Sequence, residues 1–233
     1  MINLDGIKPF AEGGNRMCFV HPDNPGRCLK VVHPGLPSKI KNSKSWYKRF
    51  RSIESFDDNL REQKAYDQKA LKNDDPNLWL HLARWYGMTE TSIGIASETE
   101  LIRNGDTIAE TLETYLFREG ITEEIKASIE DFEQWLKDHL VLTKNLIPHN
   151  LVLDYQNDKI VLKIIDGLGS QAFIPLPNYS DFFAKRYINR RIELMWSRIH
   201  WDLSGRKGNW KYCLLYTSPS PRDRSLSRMP SSA

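Results

Sequence analysis

Cysteine is scarce in this chain: three residues in 233, one of which, Cys213, stands in an atypical C-terminal stretch. Cys18 and Cys28 alone are too few for a disulfide framework, so a reducing compartment, the cytoplasm, is the simplest expectation. Long apolar runs are missing as well. No stretch reaches the roughly 18 residues that a membrane helix needs, so no membrane span is expected. The first residues, MINLDGIKPFAEGG, carry Asp5 and no apolar core segment, which argues against a secretory signal. Excess charge is lacking too. The formal net charge is +3, and Arg222, Arg224 and Arg228 against Asp223 account for +2 of it, leaving +1 for the rest. So even a balance points to neither nucleic acid nor a membrane surface as a partner.

Apolar periodicity is absent from the last residues. From Cys213 the chain reads CLLYTSPSPRDRSLSRMPSSA, and beyond Thr217 it is mostly Ser, Pro and Arg. Such a segment cannot bury enough apolar surface to offset its ordering entropy, so residues 213–233 are expected to be a disordered tail. The string resembles the in-frame translation of a sequencing-library adaptor. On that reading the tail is artefactual and the native chain is truncated near Tyr212.

What remains is ordinary globular material, 40% hydrophobic and 27% charged over the whole chain. It is long enough for one domain or two small lobes sharing a cleft. Residues 1–33 predict a β-meander: Ile7–Phe10 leads to a turn at Ala11–Asn15, then come a strand at Met17–Val20, a turn at Pro22–Gly26 and a strand at Cys28–Val32. Residues 34–57 form a polar connection. It carries Lys39, Lys41, Lys44, Lys48, Arg49 and Arg51 among Trp46, Tyr47 and Phe50, and reads as a solvated loop rather than a nucleic-acid grip. A helix is predicted from the capping-box pair Ser55 and Asp58, through Leu60, Glu62, Lys64, Tyr66 and Leu71, to a stop at Pro76. Two strands follow, Trp85–Thr91 and Ile93–Ile102.

From Asp106 the pattern turns helical. Asp106 is read as the cap of a helix whose face is Ile108, Leu112, Tyr115 and Leu116, stopped by Gly120. Thr122 caps a longer helix with its face at Ile125, Ile129, Phe132 and Leu136. A hairpin is expected from Asn150–Tyr155 and Ile160–Ile165. The last helix runs from near Ser180 to about Trp201, with Phe183, Ile188, Ile192, Met195, Trp196 and Ile199 inward. The order is α+β, a β-rich front lobe (1–103) and a helical back lobe (104–212).

Four residues in a fixed order carry the chemistry. Lys30 lies on a strand after the Gly13-Gly14 turn, and Glu62 inside the next helix. Asn150 opens one strand of the hairpin, and Asp166 ends the other in Asp166-Gly167-Leu168-Gly169. Phosphoryl transfer needs such a set: a lysine for nucleotide phosphates, a glutamate to hold it, and oxygen donors for Mg²⁺. Gly13 and Gly14 would let the backbone approach phosphates. Taken singly, each residue has a bland reading, such as a strand-edge lysine or a turn aspartate.

The segments Arg16–Pro22 and Arg27–Val32, with Arg61-Glu62, Ile147–Leu153, Ile165–Gly169 and Phe173-Ile174-Pro175, resemble the YrbL family, or PhoP regulatory network proteins, over residues 6–200. That resemblance implies a bacterial, bilobal, protein-kinase-like fold with ATP and Mg²⁺ between the lobes and a hinge near Glu100–Arg103. Lys30 and Glu62 would serve the phosphates, and Asn150 and Asp166 the metal. The chain departs from the kinase pattern at Asn145, where a catalytic-base aspartate is expected. An amide cannot be a general base. His149 is a substitute to be weighed. No Ala-Pro-Glu anchor follows Asp166, which points away from regulated protein kinases toward small-substrate relatives or a pseudokinase. The alternative function is therefore a catalytically silent nucleotide-binding module acting through a protein partner. A zinc site from Cys18, His21, Cys28 and His33 has non-standard spacing and is the weaker reading.

Overall fold

Residues 1–36, 57–72, 75–157, 159–170 and 176–207 are described by the computed structural model. Residues 37–56 of the polar connection, Phe173–Pro175 and the C-terminal tail lie outside the described residues. The meander forms as its alternation predicts. Strands β1 (Ala11–Glu12), β2 (Arg16–His21) and β3 (Asn24–Val32) run antiparallel in succession. β4 (Trp85–Thr91) and β5 (Gly94–Glu100) complete a sheet of order β1-β2-β3-β5-β4. β3 is thus interior, with Lys30 opposite Cys18 on one side and Ser97 on the other. Period 2 puts Leu29 and Val31 on the face that packs with Leu4, Phe19 and Ala96, and leaves Cys28 and Lys30 on the other.

Both front turns are tighter than their composition predicts. Ala11 and Glu12 pair with Cys18 and Met17, so the first turn shrinks to Gly13–Asn15, where the Gly13 N–H donates to the Arg16 carbonyl at 2.9 Å. Asn24 already pairs with His21, so the second needs only Pro22 and Asp23.

Helix α1 spans Asp58–Tyr66. Its cap is Asp57, whose carboxylate accepts from the N–H groups of Asn59 and Leu60, and the predicted cap Ser55 lies outside the described residues. The helix ends well before Pro76. Lys69–Lys72 and Pro76–Trp79 are separate 3-10 turns, and Pro76 opens the second behind the cap Asp75. A proline in the first turn lacks only an N–H that would have had no partner there. Asp106 caps no helix. Gly105 and Asp106 are the two turn residues of a small hairpin, β6 (Arg103–Asn104) with β7 (Thr107–Ile108), in which Gly105 has φ +60°. The cap passes to Thr111, ahead of α2 (Leu112–Glu119).

Thr122 caps α3 (Glu123–His139) as predicted, accepting from the Ile125 N–H at 3.2 Å. Ile125, Ile129, Phe132 and Leu136 of α3 are fully buried. They meet Leu151, Leu153, Leu162 and Ile164 of the hairpin β8 (Leu151–Gln156) and β9 (Lys159–Ile164). Helix α4 (Asp181–Leu203) closes this larger core with Ile188, Ile192, Met195 and Ile199. Phe183 points outward, 39% exposed, against the inward reading. The hairpin is tied to the chain just ahead of β4: the Ile164 N–H donates to the His81 carbonyl at 2.9 Å, and the Ala83 N–H to the Ile164 carbonyl at 3.0 Å. The architecture is α+β, a sheet in front and helices around a hairpin behind. No described helix is long and apolar enough to cross a membrane.

Phe132→Ala should cost about 3–5 kcal/mol in urea unfolding, the range for truncating a fully buried aromatic ring. Phe182→Ala, at a side chain 69% exposed, should stay within about 0.5 kcal/mol.

Candidate active site

Lys30 leaves β3 toward α1. That helix buries Asn59, Glu62 and Ala65, spaced three apart on one face. The stripe is polar because it faces the sheet's charged side. Asn59 Nδ2 donates to the carbonyls of Lys30 (2.9 Å) and Ile95 (3.2 Å), pinning α1 across β3 and β5. One turn later Glu62 Oε1 accepts from Lys30 Nζ at 2.7 Å. The same ammonium donates to the Ile165 carbonyl at 2.6 Å, next to Asp166. Lys30 and Glu62 are each 5% exposed. The structure therefore brings Lys30, Glu62 and Asp166 together.

Arg16 completes the cluster, and sequence reasoning missed it as a site residue. Its Nη1 donates to Glu62 Oε2 at 2.6 Å and its Nη2 to Asp166 Oδ2 at 2.7 Å. Asp166 Oδ1 accepts from the Gly167 N–H at 2.7 Å. The available signal was strand alternation: Arg16 lies two residues before Cys18, the cross-strand partner of Lys30, and so shares Lys30's face. Burial disfavours every one of these charges, yet the set holds itself ionised. Burial works against the Lys30 ammonium and the Glu62 carboxylate, but their mutual attraction keeps Lys30 above and Glu62 below its ordinary pKa. Burial also opposes the Asp166 charge, and Arg16 and Lys30 outweigh it, holding that carboxyl well below the usual carboxylate range.

The loop between α3 and β8 supplies the other wall. Asn150 ends the 3-10 turn Pro148–Asn150 just before β8, and its Nδ2 donates to the Asn145 carbonyl at 2.9 Å. Its Oδ1 is then the end available to another partner. The N–H groups of Lys144 and Asn145 both donate to the Gly167 carbonyl, at 2.8 and 3.2 Å. Gly167 has φ +86°, and a Cβ there would lie 2.6 Å from the Asn145 carbonyl oxygen and 3.0 Å from Asn150 Nδ2. Asn145 and Asn150 are thus packed against the corner that carries Asp166.

The remaining candidates stand apart. Gly13 and Gly14 sit in the β1–β2 turn leading into Arg16, both without a positive φ. His149 lies 3.9 Å from Glu113 of α2, with its side chain 45% exposed. Cys18 and Cys28 share a hydrogen bond beside Lys30, which lowers the Cys18 thiol and raises the Cys28 thiol. His21 Nδ1 accepts from the Asp23 N–H and His33 contacts the Gly13 carbonyl. Among the described residues no three His, Cys, Asp or Glu gather as a metal set.

A carboxylate and an amide oxygen at Asp166 and Asn150 are hard oxygen donors of the kind that could hold Mg²⁺. Access favours the same place. The Asp166 side chain is 43% exposed, whereas those of Arg16, Lys30 and Glu62 are at 10% or below.

The chain matches the family described as PhoP regulatory network protein YrbL over residues 2–200. It belongs to that family. YrbL of Escherichia coli (strain K12) is 24% identical over 207 residues, covering 85% of this chain and 86% of that protein. Two double-mutant crystal structures of the Mycobacterium tuberculosis PknI kinase domain are similar in fold. One has a TM-score of 0.50 at 16% identity, covering 88% of this chain and 75% of that one. The other has a TM-score of 0.50 at 15% identity, covering 93% and 88%. This YrbL-family chain has the protein-kinase fold.

Glu62→Gln leaves two buried cations short of a partner and should cost about 3–5 kcal/mol in urea unfolding at pH 7. Carboxylates whose pKa is lowered by folding contribute fully above their unfolded values, and that contribution is lost as pH falls from there through the lower folded ones. Wild-type protein should therefore lose stability below about pH 4, and Glu62→Gln should lose less over the same interval. Gly167→Ala should lower the unfolding midpoint and broaden the amide signals of Asn145 and Asn150 in NMR spectra, since backbone must shift to admit the methyl group.

Proposed function

We propose that this protein binds ATP with Mg²⁺ between an N-lobe of residues 1–103 and a C-lobe of residues 104–212, in the cytoplasm, and transfers the γ-phosphoryl group to a hydroxyl acceptor within a bacterial PhoP-linked regulatory network. The observation that carries this reading is the buried Lys30–Glu62 pair at 2.7 Å, anchored beside Asp166. A buried ion pair is weak evidence for stability, since an apolar pair of the same shape often serves better, so its role is sought in binding.

Lys30 would pair with the phosphates, and Glu62 would keep its ammonium in place. Asn150 and Asp166 would hold Mg²⁺, which would spread the charge that develops on the transferring group. Gly13 and Gly14 would let the β1–β2 turn approach the phosphates, where a Cβ on Gly14 would meet nothing within 4 Å. Phosphoryl transfer depends mainly on position and electrostatics, so a chain with Asn145 at the base position would still turn over, slowly. Asn145 also supports a second reading: a pseudokinase that binds nucleotide without transferase activity and acts through a protein partner.

A thermal-shift titration tests the shared premise. ATP at about 100 times its Kd should stabilise the fold by about 2.7 kcal/mol. The shift should require Mg²⁺ and vanish in Asp166→Ala; its absence with every nucleotide would sink both readings. A radiolabelled turnover assay of wild type against Asn145→Asp separates the two. A rate gain in Asn145→Asp supports a slow kinase, and no turnover in either supports the silent module.

A further inference from the structure

Arg16 has no part in the chemistry just described, yet it bridges the site's two carboxylates. Nη1 holds Glu62 Oε2 at 2.6 Å and reaches Asn59 Oδ1 at 3.4 Å, while Nη2 alone holds Asp166 Oδ2 at 2.7 Å. Both Asp166 oxygens are engaged, since Oδ1 accepts from the Gly167 N–H. Two cations, Arg16 and Lys30, face two carboxylates, Glu62 and Asp166, so the cluster is balanced with no ligand added. A divalent cation approaching Asp166 meets a guanidinium already seated there, and like charges a few ångströms apart repel. A triphosphate changes that balance, because it brings several anionic oxygens that suit the planar guanidinium fork. The two arms of Arg16 are separable: Nη2 can leave Asp166 while Nη1 stays on Glu62.

We propose that Arg16 is a resident counter-cation that competes with the divalent metal for Asp166 and passes to the nucleotide phosphates when they arrive, making metal binding conditional on nucleotide. This rests on the reading of the cleft as a nucleotide site, and it adds Arg16 to the phosphate-binding residues.

Mn²⁺ serves as the probe, with free ion counted by electron paramagnetic resonance. Nucleotide-free Arg16→Gln should bind Mn²⁺ about tenfold more tightly than wild type, the scale of removing one like charge near a partly exposed site. That gain should disappear in the double variant Arg16→Gln/Asp166→Asn, which ties it to Asp166. With AMP-PNP present, the wild-type Mn²⁺ affinity should rise to that of Arg16→Gln. At AMP-PNP concentrations far above those at which the Mg²⁺ complex shifts the fold, the residual metal-free binding should be weaker in Arg16→Gln than in wild type. Circular dichroism establishes that each variant is folded. Should Arg16→Gln fail to fold, Arg16→Lys keeps the charge with one compact donor head, which cannot span both carboxylates, and should show a smaller gain of the same sign. Wild-type protein that binds AMP-PNP but matches the folded variant in nucleotide-free Mn²⁺ affinity overturns the role of Arg16 and leaves the nucleotide site standing. Failure of wild type to bind any nucleotide overturns both.

Discussion

Three buried charges, Arg16, Lys30 and Glu62, and the partly exposed carboxylate of Asp166 are the constraint on which this site depends. They come from β2, β3, α1 and the segment after β9, and no two adjacent members share an element. Each alone would be costly to bury, and each is tolerable only because its partner is within hydrogen-bonding distance. Sheet, helix and hairpin must therefore hold their relative positions for the charges to remain satisfied. Among the described residues no buried side-chain polar atom lacks a partner.

The scaffold serves that constraint at each contact. An interior strand keeps Lys30 from fraying, with β2 and β5 on either side. Asn59 locks α1 to two strands, so Glu62 is aimed rather than merely nearby. Gly167 lets the Asn145–Asn150 loop close against the Asp166 corner at a distance no other residue would allow. The larger apolar core lies behind, around α3, α4 and the β8–β9 hairpin, and carries none of the four charges. Stability and site are thus partly separated in space.

Much of this was legible beforehand. The β-meander, the Thr122 cap, the α3 face and the β8–β9 hairpin follow from alternation, capping chemistry and helical period. Lys30, Glu62, Asn150 and Asp166 were legible through their order on strand, helix and hairpin rather than through any local motif. Where the reading failed, a stronger local partner won. Asp57 supplied the cap expected of Ser55, Gly105-Asp106 turned a hairpin where Asp106 was to start a helix, and Pro76 opened a 3-10 turn instead of ending a helix. Phe183 falls five residues before Ile188, off the inward stripe of α4, and Ala184 takes the buried position there.

By itself the sequence determined most element types, the family and the order of four candidate site residues along strand, helix and hairpin, because these are properties of neighbouring residues and of spacing along one chain. Tertiary structure alone decided that Arg16 would sit between Glu62 and Asp166. Nothing near Arg16 in the chain announces a carboxylate from beyond β9. The energy of a buried charge is set by what lies across from it, and that is known only once strand, helix and hairpin have packed together.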